Sequence, residues 1–175
     1  MKQSLIIKTG VLLSLAGILI FSLVTLSGKA NNPEVLAEHD HHADMGKKPW
    51  VVDIEEATID NRNYRAAIWS GEYMQLVLMS LKPGEHIDLE VHEDHDQFIR
   101  IEQGEARIRM GESKESLTFD ENVSDDWVIM IPAGYWHEVR NTGNNDLKLY
   151  TLYAPSEHPE GTVQETYEEA AGHHH

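Results

Sequence analysis

An all-β barrel is the fold the sequence predicts for residues 49–155, and three observations predict it. Short apolar or alternating runs follow one another there. Turn residues such as Ser70-Gly71 and Pro83-Gly84 separate them, and no run keeps a helical period for long. The expected strands are 51–59, 64–69, 73–81, 86–92, 96–101, 105–110, 116–119, 127–131, 135–140 and 147–153. Many short strands at this spacing fit a jelly-roll type of barrel, which manages its sheet edges by wrapping.

Taken in order, 51–59 and 64–69 are the first runs, and Ser70-Gly71-Glu72 is the tight connection into 73–81. Lys82-Pro83-Gly84-Glu85 is the next turn. In 86–92, His86, Asp88, Glu90 and His92 alternate with Ile87, Leu89 and Val91. Residues at i and i+2 of a strand share a face, so Glu90 and His92 present a carboxylate beside an imidazole. If the polar set faces the cavity, Ile87, Leu89 and Val91 face out and need cover, either from another strand such as 51–59 or from a second subunit. On its own this segment also reads as a half-buried strand with a solvated polar face.

Strand 96–101 settles a choice between neighbours. Gln97, Ile99 and Ile101 share one face and Asp96, Phe98 and Arg100 the other. The isoleucine face belongs inside, so Gln97 points inward although Asp96 is the residue type more often found on a metal. Gly104 then supplies the turn into the next strand, where positive φ is useful.

Two motifs about forty residues apart carry the chemistry. The second, Pro132-Ala133-Gly134-Tyr135-Trp136-His137 closing at Asn141, matches the pattern PxGxxHxxxN at every fixed position. The first runs from Gly84 through Glu90, His92 and Gln97 to Gly104 and matches G-x5-HxH-x4-E-x6-G with two substitutions, Glu90 for the first His and Gln97 for the Glu. Together these motifs resemble those of the cupin superfamily, and the resemblance covers the whole barrel. It implies a cupin-type jelly-roll with a metal held by Glu90, His92, Gln97 and His137. The tail from Ala154-Pro155 to Val163 resembles the ending of a group of small bacterial cupins that carry the same Glu-x-His-x4-Gln variant. That tail is expected either as a lid over the barrel mouth or as a surface strap.

Two imidazoles, one carboxylate and one amide oxygen suit Mn, Fe(II), Ni, Co or Zn and do not suit copper(I). Four protein donors on an octahedral ion leave two positions for water, dioxygen or a bidentate ligand. Two classes of function follow: a metal-dependent isomerase or dioxygenase, and a non-catalytic binding module for a sugar or carboxylate. No general base stands out; Tyr135, Gln75, Tyr150 and His158 are further candidates for lining the cavity.

The 175 residues leave room for one ordinary domain once the termini are set aside. A net charge of −16 argues against nucleic acid, whose phosphates need a basic surface, and the absence of cysteine excludes disulfides, thiolate metal sites and lipid attachment at cysteine. In residues 1–30, Lys2 and Lys8 precede an apolar run over 11–26, and Ser27-Gly28-Lys29-Ala30 follows with small residues. This reads either as a cleaved signal peptide or as an uncleaved transmembrane anchor, and both send the domain outside the cytoplasmic membrane. Residues 31–48, with His39-Asp40-His41-His42-Ala43-Asp44, read as a flexible linker, and 156–175 as a C-terminal tail ending in three histidines that carry no functional weight.

Overall fold

The computed structural model describes residues 43–171. The expected signal or anchor segment, most of the expected linker and the terminal histidines lie outside the described residues, among which no helix is long and apolar enough to cross a membrane.

Ten strands form the domain: β1 (Arg65–Ser70), β2 (Gln75–Leu81), β3 (His86–Glu90), β4 (Asp96–Gln103), β5 (Glu105–Gly111), β6 (Phe119–Ser124), β7 (Val128–Ile131), β8 (Trp136–Asn141), β9 (Leu147–Ala154) and β10 (Val163–Gln164). They make a six-stranded sheet, β10-β1-β2-β9-β4-β7, and a four-stranded sheet, β3-β8-β5-β6, with all pairings antiparallel. Alternate residues of both sheets fill the core between them: Val77 and Met79 of β2, Ile99 and Ile101 of β4, Ile108 of β5, Val139 of β8 and Leu149 of β9. The jelly-roll expectation therefore holds, and Gly104 makes its turn at φ +98°.

Residues 51–59 are not a strand. Ile54–Asp60 form helix α1, whose N-cap Asp53 accepts a hydrogen bond from the Glu56 backbone N–H at 3.2 Å. Asp at the cap with acidic residues in the first turn is a helix-start signal that overrides the β-like apolar run. With Trp50 and Val52, Ile54 and Ala57 pack on Ala66, Ile68 and Leu78, so β1 and β2 are covered on both faces. This is why the β2 sequence is apolar almost throughout.

Strand β6 falls mainly on the acidic residues after the expected 116–119. Its outward Asp120 is paired by Arg107 through two hydrogen bonds, of 2.7 and 2.5 Å. The ladder to β5 and the buried Val123 hold this edge strand, and the ion pair adds a cross-strand contact on its outer side.

Face assignment in β3 also departs from simple alternation. Ile87 pairs with Val139, Glu90 pairs with His137, and the register shifts between them. One extra residue in β3 is a bulge, which brings both Ile87 and Glu90 inward. Ile87 is 1% exposed in the core, so it needs no cover from a partner subunit. His86 and Asp88 instead meet the Tyr167 hydroxyl of helix α2 (Tyr167–Ala171) at 3.0 and 3.1 Å.

The tail is tied to the barrel. β10 pairs with β1, and Gln75, fully buried at the start of β2, accepts from the His158 N–H and donates to the His158 carbonyl, both at 2.9 Å. Asp44, in the last residues of the expected linker, accepts from Ser70 and from the Gly161 N–H, which fixes that end too.

Candidate metal centre

The two motifs meet through their backbones. Gly134 takes φ +78° after Pro132, and its N–H donates to the His92 carbonyl at 2.8 Å. A residue with a Cβ is strained at that φ, so the glycine allows the β7–β8 loop to seat against the β3–β4 loop. Asp96 accepts from the Ala133 N–H at 3.0 Å and is exposed, so it anchors the same loop from outside the cavity. At the other end of the motif, Asn141 donates its side-chain amide to the Leu81 and Asn145 carbonyls, a structural tie.

Three of the four expected ligands converge. Glu90 Oε1 lies 3.4 Å from His92 Nε2 and 3.4 Å from His137 Nε2, and each pair of donor atoms is within 4.8 Å. Gln97 is 2% exposed and faces inward on β4. It pairs in the ladder with Tyr153, whose ring packs edge-on against His92 with centroids 5.6 Å apart.

The orientation of each donor is fixed from behind. His137 is fully buried, and its Nδ1 faces the Tyr135 carbonyl at 3.0 Å. Donation there leaves Nε2 with its lone pair toward Glu90. Gln97 Nε2 donates to Thr151 Oγ1 at 3.1 Å, which turns the amide so that Oε1 is bare. Glu90 Oε1, His92 Nε2, Gln97 Oε1 and His137 Nε2 are all buried and make no well-formed hydrogen bond, the first, second and fourth having only their mutual 3.4 Å contacts. Four orphaned donors in one domain core are costly, each by about 1–3 kcal/mol, unless another species pairs with them.

Electrostatics agree with this arrangement. Burial pushes the Glu90 carboxyl up, but the imidazoles of His137 and His92 outweigh it and hold the group well below the usual carboxylate range. Burial pushes His92 down, and Glu90, Glu157 and Asp94 outweigh it, so the ring titrates above its ordinary 6.5. In the metal-free chain the two imidazoles thus serve as the carboxylate's cationic partners, a role a divalent ion would take over with both rings neutral. The donors are mixed nitrogen and oxygen with no thiolate, and they fit a divalent first-row metal.

Three residues near the site escaped sequence reasoning: His95, Tyr153 and Glu157. His95 lies in the β3–β4 loop, where strand parity gives no direction, and stacks on His92 at 4.5 Å between centroids. Tyr153 shares the inward face with Gln97, a relation legible only once β9 is known to pair with β4. Glu157 arrives from the tail. Of the proposed cavity-lining residues, Tyr150 packs instead on the outer face among Ile68, Leu78 and α1.

A family model described as a cupin domain matches residues 77–153. The Bacillus subtilis protein YrkC is 54% identical over 127 residues, which are 73% of this chain and 68% of that protein. A protein of Acanthamoeba polyphaga mimivirus is 45% identical over 115 residues, 65% of this chain and 70% of its own length. The crystal structure of BH2720 from Bacillus halodurans aligns at 51% identity with a TM-score of 0.74, covering 74% of this chain and 98% of that one.

Proposed function

The chain belongs to the cupin superfamily, and on that premise we propose that it is a metal-binding cupin whose divalent ion is held by Glu90, His92, Gln97 and His137. The observation that carries this reading is the set of four buried donor atoms, each without a well-formed hydrogen bond, on those four residues. When bound, such an ion polarises an oxygen ligand or offers a position to an oxidant. We place a small oxygen-rich molecule, a sugar or a carboxylate, as the ligand.

The chain's own groups then bind and orient. Tyr135 fixes the His137 ring through its carbonyl, and Thr151 fixes the Gln97 amide. Tyr153 is fully buried, and burial pushes its phenol well above the ordinary value of 10, so it stays a neutral group at physiological pH. Glu157 approaches His92 at Nδ1, away from the Nε2 that faces Glu90, and His95 stacks on the ring. Among the described residues no further base would adjoin an ion held by those four, which favours oxygen chemistry or plain ligand holding over isomerisation, since isomerisation needs a proton acceptor.

Export is part of the proposal, supported by Lys2 and Lys8 before the apolar run over 11–26. A homodimer is retained on a different surface from β3: Trp127, Val128 and Met130 on and beside the edge strand β7 are exposed. Light scattering at micromolar concentration checks it, and a monomer rejects it.

The test of function is elemental analysis of protein purified without a histidine tag, followed by a screen of the loaded chain against phenolic and carbonyl substrates. Oxygen uptake and ligand-induced stabilisation are the readouts. Stoichiometric metal with either readout supports the proposal; metal-free protein, or base-dependent isomerisation, contradicts it.

A further inference from the structure

The β3–β4 loop and the tail build a second donor triad against the opposite edge of His92. His92 Nδ1 is 3.6 Å from Glu157 Oε2, and His95 Nε2 is 3.2 Å from the same oxygen. All three atoms lie within 4.8 Å of one another, and the 3.2 and 3.6 Å separations from Glu157 Oε2 are ones that an ion at about 2.0–2.2 Å from each atom can span. His95 is 7% exposed, and its Nε2 is buried with no hydrogen bond despite the nearby carboxylate. Its Nδ1 is 2.9 Å from Asp94 Oδ1, and with Nδ1–H donating to that carboxylate the neutral ring keeps its lone pair on Nε2. A carboxylate behind a histidine is the usual support of a metal-ligating imidazole.

Glu157 is held in place independently of any ion. The two hydrogen bonds between Gln75 and the backbone of His158 fix the neighbouring residue, and Gln75 Nε2 also donates to Ser70 Oγ at 2.8 Å. The tail thus delivers a carboxylate to two histidines on a strut rooted in β2.

We infer that His92 Nδ1, His95 Nε2 and Glu157 form a second metal site, of the class that binds zinc or a similar borderline divalent ion. Two imidazoles and a carboxylate form a set used by zinc sites that keep a fourth position for water. The site shares His92 with the centre proposed above through the other ring nitrogen, and filling both would require the ring to release its N–H proton to solvent. It does not require the first centre to be filled. Its consequence is a clasp: an ion on Glu157 fastens the tail to the barrel mouth.

The experiment is zinc titration of the full chain by equilibrium dialysis and elemental analysis. In every sample His39, His41, His42, His173, His174 and His175 are replaced by Ala to remove adventitious binding. Two zinc ions per chain are expected in this parent, and one in His95→Ala, in Glu157→Ala and in His137→Ala. Glu157 is partly exposed, so its truncation leaves the fold intact, and circular dichroism verifies that. Amide exchange over 156–161 should slow at least about tenfold with zinc in the parent and not in Glu157→Ala. One ion in the parent that survives His95→Ala and is lost in His137→Ala overturns the second site while leaving the first. One ion that survives His137→Ala and is lost in His95→Ala upholds the second site and overturns the first.

Discussion

Glu90 stands opposite His137 across the β3–β8 ladder, and it does so through a one-residue slip that also turns Ile87 into the core. Plain alternation over 86–92 puts Ile87 outside; the bulge puts it inside. Ile87→Ala should therefore cost about 2–5 kcal/mol in denaturant unfolding, as a buried aliphatic truncation does. His86→Ala removes a contact with Tyr167 on the outer side and should leave metal affinity within about twofold. A negligible cost at Ile87 would mean that β3 follows the simple alternation.

The Glu90–His92 pair sets the pH response of the metal-free chain. Glu90 is depressed from 4.5, so its contribution to stability is complete above that value and is lost as pH falls through its lower folded value. His92 is raised from 6.5, so its contribution is complete below that value and is lost as pH rises through its higher folded value. Stability of the metal-free form should peak between these limits, and Glu90→Gln should flatten both limbs and cost about 1–3 kcal/mol at the peak. Bound metal reverses the upper limb, because neutral imidazole is the ligand. Thermal melts from pH 3 to 9, with and without manganese, check this.

Gln75 roots the tail, so Gln75→Ala should raise amide exchange over 156–161 by at least about tenfold while the exchange of β4 and β9 stays unchanged. Loss of protection throughout the barrel would show that Gln75 supports the core rather than the tail.

Much of this site was legible in sequence because its signals are local. Parity along 96–101 gives Gln97 its direction, and β4 is a regular strand in which parity holds. Pro132, Gly134 and His137 act within one turn and one strand, so their spacing is sufficient. Motif spacing groups Glu90 with His92 and His137, which the fold brings together, whereas plain alternation misplaces Ile87: a bulge leaves no mark in a pattern where polar and apolar residues alternate on both sides of it. Helix α1 is not legible in the apolar pattern because Val51, Val52, Ile54 and Ile59 look strand-like, while the deciding signal, the Asp53 cap, is a single side chain. Glu157 and His95 depend on where a tail and a loop return, which no periodicity encodes.

Gln97 and Asp96 make a paired test of the ligand set. Gln97→Glu puts a charged oxygen where a neutral one stands and should tighten manganese binding by about tenfold, since hard oxygen donors suit that ion. Asp96→Asn should change it little, because Asp96 is exposed and bonded to the Ala133 N–H. Titration of the metal-free protein checks both; weakening by Asp96→Asn alone would move the ligand to the wrong face of β4.

The most direct measurement is anomalous diffraction from crystals of the manganese-loaded chain at the metal's absorption edge. The account predicts one strong peak within about 2.0–2.4 Å of Glu90 Oε1, His92 Nε2, Gln97 Oε1 and His137 Nε2, typical bonding distances to nitrogen and oxygen donors. Crystals of fully loaded protein with no peak among these four atoms would contradict it.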